Sequence, residues 1–261
     1  MAREDYLLDN QQSEAGQRFD AFATLFNPST FRHMVSIGLS PGWRVWEVGA
    51  GGPTVPAWIA EQTNGHVLAT DIDTTWLEAA NYGFESIRHD IGTDPAPGHA
   101  FDLVHARLVL VHVPQRSEAL ATMIAALKPG GWLLAEEADP GLQPLACPDG
   151  HGAAEELANR LKLAFRALMA ERGVDLSFGR KLPRLLAAAG LVEVQADAYF
   201  PIGGPVVDQL ERATVEQIRE RLVAAQLATE EEIQQHLSNV ATGQLDLTTS
   251  PMVSAWGRKP G

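Results

Sequence analysis

A glycine-rich turn between two acidic residues is the segment of this sequence with the clearest chemical potential. Residues 45–53 have the sequence VWEVGAGGP, in which the turn begins at Gly49, and Asp71 follows 20 residues after Gly51. Glycines allow the backbone to turn sharply and let a ligand approach where a Cβ would clash. The free N–H groups of a helix that begins there favour anionic groups, and an acid ending the next strand can accept hydrogen bonds from ribose hydroxyls. The spacing predicts a site for an adenosine-containing cofactor.

Two details of this segment separate the possible cofactors. A dinucleotide fingerprint counted from Gly49 requires a very small residue at position 54, where this chain has Thr54. Glu47 precedes the turn, and its carboxylate would repel a pyrophosphate but attract a cofactor that carries an ammonium and a sulfonium. An NAD(P)-dependent oxidoreductase therefore remains an alternative that Thr54 and Glu47 disfavour.

The elements that must position these residues alternate between short apolar runs and helical patterns, which is typical of βαβ units and a mostly parallel sheet. We predict strands over residues 43–48, 66–71, 87–89, 101–106, 132–136, 192–200 and 252–256. We predict helices over most of residues 1–40 and over 58–62, 74–82, 116–127, 153–172, 182–189 and 206–237, the last broken near Thr229. The Lys-Pro-Gly-Gly segment at 128–131 should end the helix before it.

The glycine turn resembles motif I of class I S-adenosylmethionine (SAM)-dependent methyltransferases, which is written (E/D)-x-G-x-G-x-G. Glu47, Gly49 and Gly51 match, Ala50 lies between the glycines, and Pro53 stands in place of the third glycine. Proline is acceptable at the start of a helix because the first N–H groups have no partner within the helix. The resemblance implies a Rossmann-like α/β fold with a seven-stranded, mostly parallel sheet, with SAM as cofactor and S-adenosyl-L-homocysteine as product.

Further segments resemble the same family in the same order, over roughly residues 39–200. The resemblance implies that Asp71 holds the ribose, that Asp90 accepts a hydrogen bond from the adenine amino group with Ile91 as the apolar neighbour, and that Ile72 also binds the cofactor. The segment FDLVHAR, which ends at Arg107, resembles the fourth strand of the family, and LKPGGWLL at 127–134 resembles the turn before its fifth strand. The remaining cofactor-binding candidates that the resemblance implies are Arg107 and, on a helical lid, Arg18.

We divide the chain into an N-terminal helical lid at 1–38, a SAM-binding core at 39–200 and a helical cap with the final strand at 201–261. The core carries a helical insertion at about 140–180, which should cover the carboxyl edge of the sheet together with the cap. Ligands bind at that edge in open α/β folds. Apolar side chains of the insertion, such as Phe165 and Met169, favour an apolar acceptor pocket.

The expected reaction is methyl transfer to a small-molecule acceptor, with O-methylation of a hydroxyl or phenol as the default. N- or C-methylation is an alternative, as is a SAM-binding protein with non-methylating chemistry. His112 follows the fourth strand at the cofactor edge and is the candidate general base, although it could instead only shape its loop. Glu136, Glu137 and Asp139 follow the predicted fifth strand, and loop carboxylates of this kind are usually solvated.

Composition limits the partners. The formal net charge is −13, with 20 basic and 33 acidic residues, which argues against a nucleic-acid substrate. No apolar stretch is long enough to span a membrane, and no secretion signal is evident. Cys147 is the single cysteine, so no internal disulfide is expected and we expect a cytoplasmic protein. We predict no metal site, and either a monomer or a homodimer fits the sequence.

Overall fold

The computed structural model describes residues 13–78 and 83–261. These residues form two compact units. One comprises the described residues up to Pro28 together with Asp139–Ser177 and Tyr199–Pro251, and the other comprises Ser29–Ala138, Phe178–Ala198 and Met252–Gly261. The lid, core and cap boundaries given above stay predictions.

The second unit is built on a seven-stranded sheet with the strand order β3-β2-β1-β4-β5-β7-β6. The strands are β1 (Val45–Val48), β2 (Val67–Asp71), β3 (Glu85–Arg88), β4 (Phe101–Arg107), β5 (Leu127–Ala138), β6 (Val192–Tyr199) and β7 (Met252–Arg258). The pairs β1/β2, β1/β4, β2/β3 and β4/β5 are parallel, whereas β5 and β7 are antiparallel. The predicted mostly parallel, Rossmann-like sheet is confirmed. The carboxyl ends of β1, β2, β4 and β5 therefore lie along one edge of the sheet.

Eight helices accompany the sheet in the described part of the chain. They are α1 (Ser13–Ser36), α2 (Thr54–Thr63), α3 (Thr75–Glu78), α4 (Arg116–Ala126), α5 (Ala153–Glu171), α6 (Leu182–Ala188), α7 (Pro205–Ala224) and α8 (Glu230–Ala241). The predicted break near Thr229 is confirmed, because Thr229 and Glu232 form a reciprocal capping box that starts α8. The last residues of the helix predicted at 74–82 and the first twelve residues of the chain lie outside the described residues.

The predicted stop at residues 128–131 is wrong in one respect. The helix does end at Ala126, but Lys-Pro-Gly-Gly belongs to β5, which begins at Leu127. Leu127 pairs with Phe101 and Trp132 pairs with Leu103, so the register shifts between these two pairs. An irregularity of this kind lets a strand absorb proline and glycine residues without breaking its pairing.

Each unit has an apolar core of its own. In the second unit, side chains of β1, β2, β4 and β5 pack with α2 and with Met34 of α1. In the first unit, α5, α7 and α8 pack through a cluster of Leu, Ile and Val side chains. Phe165 and Met169 pack against that cluster, so these two residues contribute to a helical core.

No helix within residues 13–78 and 83–261 has both the length and the apolar content of a membrane span.

Candidate active site

The glycine turn follows β1 directly, and its backbone geometry explains its composition. Gly49 and Gly51 have φ values of +61° and +63°, in the left-handed region that favours glycine. A Cβ on Gly49 would overlap the side chain of Val109. The amide of Gly51 donates a hydrogen bond to Oδ2 of Asp71, at 2.9 Å. The turn is thus held at the end of β1 and fastened to the end of β2.

Asp71 ends β2 and is 93% shielded, since only 7% of its surface is exposed. Besides the bond from Gly51, its Oδ1 accepts the amide of Asp73 at 2.9 Å. Burial raises the pKa of Asp71, and the backbone N–H groups act in the opposite direction. A fixed acceptor beside the glycine turn is the arrangement that a ribose diol requires.

Exposed apolar surface lies immediately beyond Asp71. Ile72 and Trp76 are 58% and 39% exposed, which is unusual for side chains of this size. Sequence reasoning included Ile72 but missed Trp76. The sequence already shows a tryptophan five residues after Asp71, the predicted ribose acid, and a partly exposed tryptophan can contact a flat aromatic ligand.

Asp90 follows β3, the strand next to β2. Its Oδ1 accepts the amide of Gly92 at 2.9 Å, and its own amide donates to Asp94 at 2.9 Å. The amide of His89 donates to the carbonyl of Asp71 at 2.9 Å, and Ile91 is buried. The sheet therefore brings the segment containing Asp90 and Ile91 beside the end of β2, as their predicted common role requires.

A buried ion network lies below the glycine turn. Nδ1 of His105 on β4 is 2.6 Å from Oε2 of Glu47 on β1, and its Nε2 is 3.2 Å from Oε2 of Glu136 on β5. All three side chains are at most 3% exposed. Each imidazole nitrogen therefore faces a carboxylate oxygen, an arrangement that a doubly protonated ring satisfies with two donors.

The network continues from Glu136 to α1, β6 and β7. Hydroxyl groups of Thr30 and Ser254 donate to Glu136 at 2.5 Å and 2.6 Å. Nδ1 of His33 is 3.4 Å from Glu136, and its Nε2 is 2.9 Å from Asp197. The carboxylate of Glu136 thus faces donor side chains from three elements, α1, β4 and β7.

The charges of this network follow from its contacts. Burial alone would lower the pKa of His105, but the carboxylates of Glu47 and Glu136 outweigh it and raise the pKa to about 9. Burial would raise the pKa of Glu136, but the hydrogen bonds from His105 and His33 hold it well below its ordinary value. At neutral pH, an imidazolium therefore lies between two carboxylates.

Glu137 points to the opposite face of β5, because successive side chains of a strand alternate. Its Oε1 accepts the amides of Val109, Leu110 and Val111 at 3.1, 2.7 and 3.3 Å. Its Oε2 is buried without a hydrogen-bond partner among the described residues. Burial raises the pKa of Glu137 to about 8 despite the three N–H groups.

His112 lies at the end of the short 3-10 helix that these amides begin, Leu110–His112. The side chain of His112 is half-buried. Because Val109 packs over Gly49, this turn is adjacent to the glycine turn. The structure thus places the candidate base beside the predicted cofactor site, on a segment that Glu137 holds in place.

The two predicted arginine contacts occupy different places. Arg18 is buried on α1 in the first unit, with its guanidinium carbon 5.0 Å from the ring centroid of Phe19. Arg107 ends β4 in the second unit and donates to the hydroxyl of Thr30 at 2.9 Å. Contact of either arginine with a cofactor stays a prediction.

The expectation that Glu136, Glu137 and Asp139 are solvated is wrong. All three are at most 1% exposed. β5 extends through Ala138, so Glu136 and Glu137 lie within the strand and Asp139 follows it directly. The side-chain partners of Glu136 and Glu137 come from segments distant in sequence, so no local pattern revealed them. A histidine in the middle of the apolar strand FDLVHAR was the available signal, because a buried imidazole requires polar partners.

No group of three or more His, Cys, Asp or Glu side chains that could hold a metal ion occurs in the described part of the chain.

Known methyltransferases are similar to part of this chain. A protein-family model described as "Methyltransferase domain" matches residues 46–135, which include the glycine turn, Asp71, Asp90 and His112. Methyltransferase str2 of Strobilurus tenacellus is 27% identical over 200 residues, covering 74% of this chain and 70% of that protein. Phosphoethanolamine N-methyltransferase 1 of Zea mays is 23% identical over 205 residues, covering 74% of this chain and 38% of that protein.

The fold agrees with solved methyltransferase structures. Phosphoethanolamine N-methyltransferase 2 of Haemonchus contortus, in complex with S-adenosyl-L-methionine, superposes with a TM-score of 0.59 at 16% identity, covering 100% of this chain and 60% of that chain. This chain therefore spans less than two thirds of the maize and Haemonchus proteins. Residues 46–135, which carry the glycine turn, are therefore similar to a methyltransferase domain, and the sheet has the Rossmann-like fold of class I SAM-dependent methyltransferases.

Proposed function

We propose that this protein transfers the methyl group of SAM to a small-molecule acceptor, and that the acceptor atom is the oxygen of a hydroxyl or phenol. The observation that carries the proposal is the turn at the end of β4. It holds His112 next to the glycine turn through three hydrogen bonds to Glu137. A histidine at this place is suited to remove the proton that a hydroxyl must lose when it is methylated.

The residues of the site fit SAM. The left-handed glycines let the cofactor lie against the backbone, and Asp71 would accept hydrogen bonds from the ribose hydroxyls. The exposed side chain of Ile72 would cover one face of the adenine. Glu47 would face the ammonium and sulfonium of the methionine end, where a carboxylate is electrostatically favourable.

The other predicted contacts complete this assignment. Asp90 would accept the adenine amino group, with Ile91 as the apolar neighbour. Trp76 adds an aromatic surface that the sequence analysis did not include. Arg18 remains the candidate for the carboxylate of the methionine end, since a guanidinium matches a carboxylate in shape and charge. Arg107 remains a candidate for cofactor binding.

The chain's own residues would contribute orientation first and proton removal second. When bound, SAM supplies an electrophilic methyl carbon attached to a sulfonium, which is a good leaving group. Holding an acceptor in line with that carbon can contribute about 7–11 kcal/mol. A general base adds roughly 100- to 10,000-fold for a hydroxyl. His112 would take the hydroxyl proton, and Glu137 would keep its turn fixed.

A small acceptor agrees with the charge of the chain. The formal net charge of −13 makes contact with a phosphate backbone unfavourable. A small hydroxyl compound or phenol does not require a basic surface. The acceptor is therefore proposed by its chemical class.

Calorimetric titration tests the cofactor assignment. We expect wild-type protein to bind SAM and S-adenosyl-L-homocysteine, and not NAD(P)H. Replacing the ribose acid, Asp71→Ala, should weaken SAM binding by about 1.5–3 kcal/mol, the range for hydrogen bonds to a charged group. Unchanged affinity in this variant would show that Asp71 does not hold the ribose.

Methylation of a panel of small phenols and amines tests the proposed acceptor. We expect products methylated on oxygen, and we expect His112→Ala to reduce the rate about 100-fold or more with SAM affinity unchanged. His66→Ala is a matched control, because the side chain of His66 is 43% exposed and lies before β2. An equally active His112 variant would reduce His112 to a structural role.

N-methylation is the second candidate, because the maize relative is named as an N-methyltransferase. An amine nucleophile needs less help from a base than a hydroxyl does. Products methylated on nitrogen, formed at similar rates by wild type and His112→Ala, would favour this candidate over the first.

A further inference from the structure

Among the described residues, one of the two carboxylate oxygens of Glu47 has a hydrogen-bond partner. Its Oε2 receives the short hydrogen bond from His105. Its Oε1 accepts no hydrogen bond from residues 13–78 or 83–261, although the side chain is only 3% exposed. Glu47 lies two residues before Gly49. One carboxylate oxygen is thus fixed within the protein, and the other is available at the glycine turn.

His105 cannot change its orientation without losing a strong interaction. Its ring is fully buried, and each of its nitrogens faces a carboxylate oxygen. A flip of the ring or a change of rotamer would leave at least one buried carboxylate without its donor, which is costly. The position of Glu47 is therefore determined by His105.

Glu136 holds the far side of the imidazole. It accepts hydrogen bonds from the hydroxyl groups of Thr30 and Ser254, and Nδ1 of His33 is 3.4 Å from the same carboxylate. At the same end, Arg107 contacts Thr30 and Asp197 contacts His33. The hydrogen bonds run without interruption from α1 and β7 to the end of β1.

Stability alone is a weak reason for such a network. The desolvation of buried ions commonly cancels their mutual attraction, and apolar side chains of similar volume can be as stable. Fixing an oriented charge beside a binding turn is a use that apolar side chains cannot provide.

We propose that His105 is a positioning residue for cofactor binding, which orients Glu47 so that Oε1 is presented to the cationic methionine end of SAM. This inference rests on the proposed SAM site. It does not depend on the acceptor or on His112.

Two substitutions of His105 test its two ring nitrogens separately. The amide nitrogen of Asn occupies the place of Nδ1, and that of Gln occupies the place of Nε2. His105→Asn should keep the bond to Glu47 and bind SAM within about threefold of wild type. His105→Gln should keep the bond to Glu136 but release Glu47, and weaken SAM binding about ten- to a hundredfold. Ser254→Ala is the control, because it removes one bond to Glu136 and leaves the contact between His105 and Glu47 intact.

The second ligand in this calorimetric test is 5′-methylthioadenosine, which has the adenosine part but lacks the amino-acid end and the sulfonium. Its affinity should be equal in wild type and in both variants. Loss of affinity for both ligands would indicate general damage to the site, and equal SAM affinities of the two variants would also overturn the proposal. Absence of SAM binding by the wild type would instead overturn the proposed function.

Wild-type protein gives an independent test in case the variants do not fold. The proton between His105 and Glu47 should give a low-field NMR signal, because the hydrogen bond is short and charge-assisted. We expect SAM to shift this signal and 5′-methylthioadenosine to leave it in place. Equal shifts with both ligands, or no shift with SAM, would contradict a role of His105 toward the methionine end.

Discussion

Two neighbouring carboxyl groups on opposite faces of β5 have pKa values shifted in opposite directions. Glu136 and Glu137 are adjacent in sequence and each is 1% exposed. On one face, His105 supplies positive charge and His33 adds a contact, and together they hold the pKa of Glu136 well below its ordinary value. On the other face, the hydrogen-bond donors to Glu137 among the described residues are backbone amides, and burial raises its pKa to about 8.

This difference shows that burial alone does not determine the charge of a carboxyl group. Three amides on one oxygen do not offset the loss of water around Glu137, whereas the His105 imidazolium and the other donors do so for Glu136. The Glu136 face is therefore an ionic network that orients Glu47. On the other face, the carboxyl group of Glu137 is neutral at pH 7 and holds the turn that carries His112 through three backbone hydrogen bonds.

The largest expected effect comes from removing the charge on the ionic face. Glu136→Gln should destabilise the protein by about 3–5 kcal/mol, because His105 would lose one of its two counter-charges in the interior. The free energy of unfolding in urea at pH 7 measures this effect. Glu137→Gln is the matched control on the other face, and an equal loss in both variants would remove the contrast between the faces.

The pH dependence of stability gives the next effect. Since the pKa of Glu137 is raised from 4.5 to about 8, the folded state binds a proton more tightly than the unfolded state. Its stabilising contribution is complete below pH 4.5 and is lost as the pH rises through 8. Between pH 5 and 8, wild type should lose about 3.5 kcal/mol relative to Glu137→Gln.

Urea unfolding of both proteins at several pH values measures this difference directly, and contributions from other groups cancel in the subtraction. A difference that does not change with pH would mean that Glu137 is ionised throughout this range.

The smallest effect is expected from Glu137→Gln at pH 5. The amide oxygen of Gln can still accept the three backbone N–H groups, so the cost should be about 1 kcal/mol, from one more buried N–H without a partner. Thermal unfolding at pH 5 is a suitable measurement. A loss of more than about 3 kcal/mol in the free energy of unfolding would show that the hydrogen bonds to the turn require an ionised carboxylate at position 137.

Prediction from sequence succeeded for the fold, where the signals are local. The glycine turn, Asp71 and Asp90 each follow a strand whose apolar pattern is readable, and parallel strands place their carboxyl ends at one edge. The break at Thr229 was visible for a similar reason, because a capping box involves residues only three apart. The length of β5 was not predicted, since the pairing with β4 and β7 overrode the proline and glycines at its start.

The sequence by itself therefore determined the α/β architecture and the cofactor class, and it predicted the residues of the cofactor site. Only the tertiary structure decided how the carboxyl groups of Glu47, Glu136 and Glu137 are used. Their partners lie 58, 31 and 26–28 positions away along the chain. The protonation state of a buried group depends on those partners and on the exclusion of water, and both arise only when distant strands are brought together.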